Sequence, residues 1–164
     1  MTEILKEVTT RKSDESDLKI RDIVVAVDLS SHSEKTAGYA AELAKSLRAT
    51  ITLVHVFAPE AITEFTTETI HESYEEQRRS AERKLTGLAE KIQETGSDCN
   101  TQFRIGDPAD EVSRTAFSLN ADLIVTASHH PSFLARLFRA DQAPRILHSA
   151  PCSVLVYHES TKIW

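Results

Sequence analysis

The chain has 164 residues, a formal net charge of −6 and two cysteines, Cys99 and Cys152. This length suits one domain, which can bury about 70% of its unfolded surface and needs no disulfide or metal to hold it together. The acidic balance argues against a general nucleic-acid-binding protein, because such proteins are usually basic.

Residues 1–19 are polar and carry only weak helical periodicity, so we expect an extension that is flexible or loosely docked. They lack the continuous apolar segment of a signal peptide. No apolar run approaches the roughly 20 residues needed to cross a bilayer. The two isolated cysteines suit a reducing compartment. We therefore expect a cytoplasmic protein without a transmembrane segment.

Five short apolar runs follow, and four of them are nearly continuous Val, Ile and Leu. This pattern is typical of parallel strands that are buried on both faces. The third run alternates more, as an edge strand would. The predicted strands are Ile23–Val27, Ile51–Phe57, Thr101–Ile105, Leu123–Thr126 and Ser153–Tyr157.

Helical patterns lie between the predicted strands. Ser31 and Glu34 have the spacing of a capping box before the first helix. Gly96 is placed to end the second helix, and Pro108 is tolerated in the first turn of the third. A fourth helix is predicted over residues 141–149. The alternation of strands and helices predicts an open, doubly wound α/β sheet with right-handed crossovers.

Three segments then resemble the universal stress protein family: IVVAVDLSSHSEKTAGYAAELAKSLRATITLVHVF, RIGDPADEVSRTAFSLNADLIVTAS and RILHSAPCSVLV. The resemblance covers nearly everything from about Lys19 to Tyr157. It implies a Rossmann-like, three-layer α/β/α fold whose five-stranded parallel sheet has the order 3-2-1-4-5. It also implies an extension (1–19), a universal-stress-type domain (20–158) and a tail (159–164).

ATP-binding members of this family carry a G-x2-G-x9-G-[S/T] motif after the fourth strand. The corresponding positions here all depart from it: Ala127, His130, Ala140 and Asp141. Glycine lets backbone N–H groups approach phosphate oxygens. A carboxylate at residue 141 accepts hydrogen bonds only and repels the anion. The resemblance therefore implies that ATP binding of the family's usual kind is absent.

Two other family positions match the binding members. Asp28, after the first predicted strand, would contact the ribose, and Val56, near the end of the second, would lie beside the adenine. A segment from residue 129 to 145 contains Arg136, Arg139 and Arg145 and could still hold an anion. The alternative reading is thus a switch that binds ATP or AMP through Asp28, Val56 and this basic segment.

The family resemblance favours a non-catalytic regulatory protein of the stress response, which needs no cofactor and acts through protein partners. Family members dimerise through the last strand, and an exposed apolar edge favours the same association. We therefore expect a homodimer with an interface at Val154, Leu155, Val156 and Tyr157. An enzyme acting on phosphate is disfavoured because no general base is recognisable.

Two further sets of residues have simple structural explanations. The histidines lack a spaced cysteine or acidic partner, so a solvated loop is favoured over a metal site; they are His55, His129, His130 and His148. Cys152 follows a proline, and we expect a buried structural thiol rather than a redox sensor.

Overall fold

Strands β1 (Asp22–Ala26), β2 (Thr50–Phe57), β3 (Cys99–Ile105), β4 (Leu123–Ala127) and β5 (Ser153–Tyr157) form one sheet. Helices α1 (Ser31–Leu47), α2 (Thr67–Glu94) and α3 (Pro108–Ser118) connect them. The computed structural model describes residues 19–58, 67–127 and 149–157. Every pair of neighbouring strands is parallel, in the order β3-β2-β1-β4-β5. The predicted doubly wound sheet and its order are confirmed.

Polar residues extend the amino ends of several strands beyond their apolar runs. β1 begins at Asp22, which pairs with Thr50, and β3 begins at Cys99, which pairs with Ile51. Backbone pairing does not depend on side-chain hydrophobicity. The apolar runs therefore predicted the interior of each strand, and for β5 alone they also predicted both bounds.

The core lies on both faces of the sheet. One face packs against α1 and α2, and the other packs against α3. α1 buries an apolar stripe of four alanines, whose small side chains let the helix approach the sheet closely: Ala37, Ala40, Ala41 and Ala44. α2 and α3 bury Leu85, Leu88, Ile92, Ala109, Val112 and Ala116.

Two leucines that continue the apolar periodicity of α1 and α3 are more than one third exposed. Leu47 is 38% exposed and Leu119 is 37% exposed. Leu47 is the last residue of α1, and Leu119 is the C-cap of α3. Each helix ends there, so the periodicity continues beyond the part of the helix that the sheet covers.

The start of α1 differs by one residue from the predicted capping box. Its N-cap is Ser30, not Ser31, and the Ser30 hydroxyl accepts a hydrogen bond from the backbone N–H of Ser33. Glu34 instead pairs with Lys91 of α2, with Oε1 3.2 Å from Nζ. The box is absent because the turn before α1 places Ser30 at the helix entrance.

None of the described helices combines the length and apolarity needed to cross a membrane. Residues 1–18, 59–66, 128–148 and 158–164 lie outside the described residues. The predicted tail, all but one residue of the predicted extension and nearly all of the fourth helix fall in those ranges.

Candidate functional site

The carboxyl edge of the sheet between β1 and β4 is where the strand order reverses. β1 has β2 on one side and β4 on the other. In open α/β sheets, ligands bind in the crevice outside the carboxyl ends of the strands at such a switch point. Asp28 follows β1 by two residues, and Ala127 ends β4. The fold therefore brings these two sequence-predicted positions to the same edge.

Asp28 lies in a tight turn between β1 and α1. Its Oδ1 accepts hydrogen bonds from the backbone N–H of Ser30 at 3.0 Å, from the Ser30 hydroxyl at 2.5 Å, and from the Ser33 hydroxyl. Its own backbone N–H donates to Ser33 Oγ at 2.8 Å. The intervening Leu29 adopts a left-handed conformation, with φ of 62°. That conformation is costly for any residue other than glycine. The hydrogen bonds around Asp28 therefore stabilise the turn.

These hydrogen bonds favour the ionised form of Asp28. Burial by itself would raise the pKa of this half-buried carboxyl, but the hydrogen bonds from Ser30 and Ser33 outweigh it and lower the pKa below its ordinary value. Asp28 is thus an ionised carboxylate at neutral pH. The described residues that donate to the Asp28 carboxylate all bond to Oδ1, so no described residue occupies Oδ2. This oxygen can accept a hydrogen bond from a hydroxyl, and its charge repels a phosphate.

Val56 is an apolar residue near the end of β2, the strand next to β1. The register pairs Ala26 of β1 with Val54 of β2, so Asp28 lies at the level of Val56. Val56 is half-buried and packs against the cluster on the α3 face of the sheet. Across from it, Arg104 of β3 donates from Nε to Thr115 Oγ1 at 3.3 Å. The carboxyl edge of β1 and β2 thus offers a hydrogen-bond acceptor, Asp28, and an apolar side chain, Val56.

Thr126, near the end of β4, was not singled out by the sequence. Its side chain is 7% exposed, and Oγ1 has no hydrogen-bond partner among the described residues. An unpaired buried hydroxyl is uncommon, because it loses its bonds to water without replacement. Its β-branched shape fits a strand, so sequence pattern alone gives it no distinctive signal.

Comparison with known proteins identifies the family. The model of the universal stress protein family matches residues 19–158. The chain belongs to the universal stress protein family. Over 144 residues, it is 30% identical to a universal stress protein of Methanocaldococcus jannaschii, covering 85% of this chain and 83% of that protein. A universal stress protein of Synechocystis sp. is 30% identical over 87 residues, 53% of this chain and 56% of the other.

Solved structures of the family have the same fold. A universal stress protein in complex with cAMP superposes with a TM-score of 0.65 at 18% identity, covering 87% of this chain and 99% of that one. The universal stress protein of Archaeoglobus fulgidus in complex with dAMP gives 0.57 at 21% identity, covering 84% and 98%. At these identities, the likeness establishes the fold.

In this universal stress protein, four positions depart from the family's ATP-binding motif, and the structure describes one of them, Ala127. It ends β4 and is 8% exposed. The other three positions, His130, Ala140 and Asp141, lie outside the described residues. The sequence departs from the family motif at these three positions, and the effect of the departures on phosphate binding stays a prediction.

His55 lies on the opposite face of β2 from Val56. Its Nδ1 is 2.9 Å from the carbonyl oxygen of Val27, and its ring centroid is 5.7 Å from that of Phe103. Burial lowers the pKa of this histidine, although the Val27 carbonyl and the charge of Asp28 act in the other direction. His55 is thus a half-buried, neutral side chain near the site.

No group of three or more His, Cys, Asp or Glu in the described ranges could hold a metal ion. His129, His130 and His148 lie outside those ranges, so the predicted solvated loop is not tested. Burial raises the pKa of Cys99 to about 11 and also raises the pKa of Cys152. Cys152 is half-buried rather than buried as predicted, because it precedes the edge strand β5.

Proposed function

We propose that this protein is a non-catalytic, cytoplasmic regulator of the stress response that binds an adenine nucleotide with a short phosphate chain. Asp28 would accept a hydrogen bond from a ribose hydroxyl, and Val56 would contact the base. The observation that carries the proposal is the ionised Asp28 carboxylate, with Oδ1 bound inside the turn and Oδ2 unoccupied by any described residue.

The preference for a short phosphate chain rests on the segment after β4. Its departures at Ala127, His130, Ala140 and Asp141 remove glycine positions and add a carboxylate. These changes weaken a backbone cradle for a triphosphate more than a side-chain contact to one phosphate. Solved relatives in complex with cAMP and dAMP, each a nucleotide with a single phosphorus, support this ligand class.

The second candidate is regulation through protein partners with no nucleotide bound at all. It is favoured by Ala127, because this position carries glycine in the family's ATP-binding motif and its Cβ lies in a nearly buried strand end. Titration with nucleotides separates the two candidates directly.

We expect the regulator to act as a homodimer through β5. This strand pairs with β4 on one side only within the described residues. Val156 is 50% exposed, and the rings of Tyr157 and Tyr39 stack with centroids 4.7 Å apart. Val156→Arg should yield a monomer by light scattering, because this side chain is exposed on the edge strand. A dimer of unchanged mass would place the interface elsewhere.

Calorimetric titration tests the nucleotide proposal. The wild type should bind AMP more tightly than ATP, with and without magnesium. It should also bind AMP more tightly than 2′,3′-dideoxy-AMP, which lacks the hydroxyls that Asp28 would accept. Asp28→Ala should weaken AMP binding ten- to hundredfold, since a hydrogen bond to a charged group contributes about 1.5–3 kcal/mol.

Asp98→Ala is the matched control, because this carboxylate accepts from Thr50 at the opposite edge of the sheet. Its AMP affinity should equal that of the wild type. Absence of AMP binding by the wild type would contradict the proposal, and ATP binding as tight as AMP binding would contradict the short-phosphate preference. Steady ATP turnover lost in Asp28→Ala would contradict the non-catalytic role.

A further inference from the structure

Ser33 makes two contacts with Asp28 from the first turn of α1. Its hydroxyl donates a hydrogen bond to Asp28 Oδ1. Ser33 Oγ also accepts a hydrogen bond from the backbone N–H of Asp28 at 2.8 Å. The side chain is only 4% exposed. A buried hydroxyl that both donates and accepts leaves the carboxylate little rotational freedom. Ser33 thus ties the turn after β1 to the helix that follows it.

Ser30 also contacts Asp28, but its contacts have a separate cause. Ser30 is the N-cap of α1, and its hydroxyl accepts from the backbone N–H of Ser33. Helix capping by itself therefore explains a serine at residue 30. Ser33 is inside the helix, where serine is a poor former and Ala would be preferred. Among the described residues, its side chain forms hydrogen bonds with Asp28 alone.

We infer that Ser33 is a positioning residue that makes Asp28 selective for ligands with a sugar hydroxyl. By occupying Oδ1, together with Ser30, it leaves Oδ2 as the acceptor available at the edge of the sheet. This inference rests on the proposed function, since it concerns the same site. It adds that the hydroxyl selectivity depends on a residue that the ligand itself does not contact.

The test compares Ser33→Ala with the wild type on two ligands. AMP affinity should fall about tenfold, because the carboxylate loses one donor and becomes free to rotate. Affinity for 2′,3′-dideoxy-AMP should be unchanged, because that ligand offers Asp28 no ribose hydroxyl. A loss caused by general damage to the fold would weaken both ligands equally, so equal weakening overturns the inference.

Thr36→Ala is the matched control for losing a buried hydroxyl from α1. Thr36 is 1% exposed and donates to the backbone carbonyl of His32, away from Asp28. It should lower thermal stability without changing the ratio of AMP to dideoxy-AMP affinity. If Ser33→Ala fails to fold, Ser33→Cys preserves the side-chain volume with a weaker donor and should reduce the same ratio.

A measurement without ligand separates this inference from the proposed function. Carbon NMR of the Asp28 carboxyl should show a higher pKa in Ser33→Ala than in the wild type, because one stabilising donor is gone. An unchanged pKa overturns the positioning role whether or not AMP binds. A raised pKa in a protein that binds no nucleotide would refute the proposed function and the hydroxyl selectivity, but not the contact.

Discussion

Two aspartates follow strands at the same edge of the sheet, yet their surroundings give them different roles. Asp107 precedes α3 as its N-cap, and its Oδ1 accepts the backbone N–H groups of Ala109 and Asp110 at 3.1 and 3.2 Å. Asp28 precedes α1, but Ser30 is the N-cap there. The helix is capped by a serine, so the carboxylate of Asp28 is not used to satisfy helix N–H groups.

This difference separates a structural carboxylate from a candidate ligand contact. The position after a parallel strand does not distinguish them, because both lie where ligands bind in such folds. What distinguishes them is the set of described donors to Oδ1. Backbone N–H groups of a helix bind Asp107, whereas the turn around Asp28 contributes two serine side chains and one backbone N–H.

The largest effects on ligand affinity and on stability are expected when each aspartate is replaced separately by alanine. Asp28→Ala should lose ten- to hundredfold in AMP affinity, whereas Asp107→Ala should lose about 1–2 kcal/mol of stability through the missing cap. Titration calorimetry and urea unfolding measure the two losses. A large loss of AMP affinity in Asp107→Ala, with the protein folded, would remove the distinction between the two carboxylates.

A smaller effect should appear in the pH dependence of Asp28. Its folded-state pKa is depressed, because hydrogen bonds from Ser30 and Ser33 outweigh burial. The pKa of an aspartate in the unfolded chain is about 3.9. The stability that Asp28 contributes is therefore present above that pH and is lost as the pH falls through its pKa in the folded state. Urea unfolding of wild type and Asp28→Asn between pH 7 and pH 2 measures this.

The difference in stability between these two proteins should shrink in that acid window. A difference that stays constant from pH 7 to pH 2 would mean that the turn does not stabilise the ionised form. AMP affinity should weaken over the same window, because a protonated carboxyl loses its charge.

The smallest effect is expected at Thr126, where a buried hydroxyl lacks the partners that Ser33 has. Thr126→Val replaces an unpaired hydroxyl by a methyl of similar shape and should leave stability unchanged or raise it by up to about 1 kcal/mol. Ser33→Ala should lower stability instead. Thermal unfolding compares the two, and a clear loss in Thr126→Val would indicate that its hydroxyl has a partner.

The apolar runs predicted the interior of each strand because a strand buried on both faces requires nearly continuous Val, Ile and Leu. The runs in β1 and β4 fulfil this requirement, since Ile23–Val25 and Leu123–Val125 pair at the centre of the sheet. Burial at the helix ends was predicted less well, because periodicity does not reveal where a helix loses contact with the sheet. Leu47, the last residue of α1, is the clearest example.

The sequence by itself determined that Asp28 follows the first strand and that Val56 lies near the end of the second. Each position depends only on the apolar run beside it. Only the tertiary structure decided which oxygen of Asp28 is occupied. That depends on Ser33, five residues away, reaching back across a left-handed turn at Leu29. Hydrophobic periodicity carries no information about such a contact, since hydrogen-bond geometry depends on the three-dimensional path of the backbone.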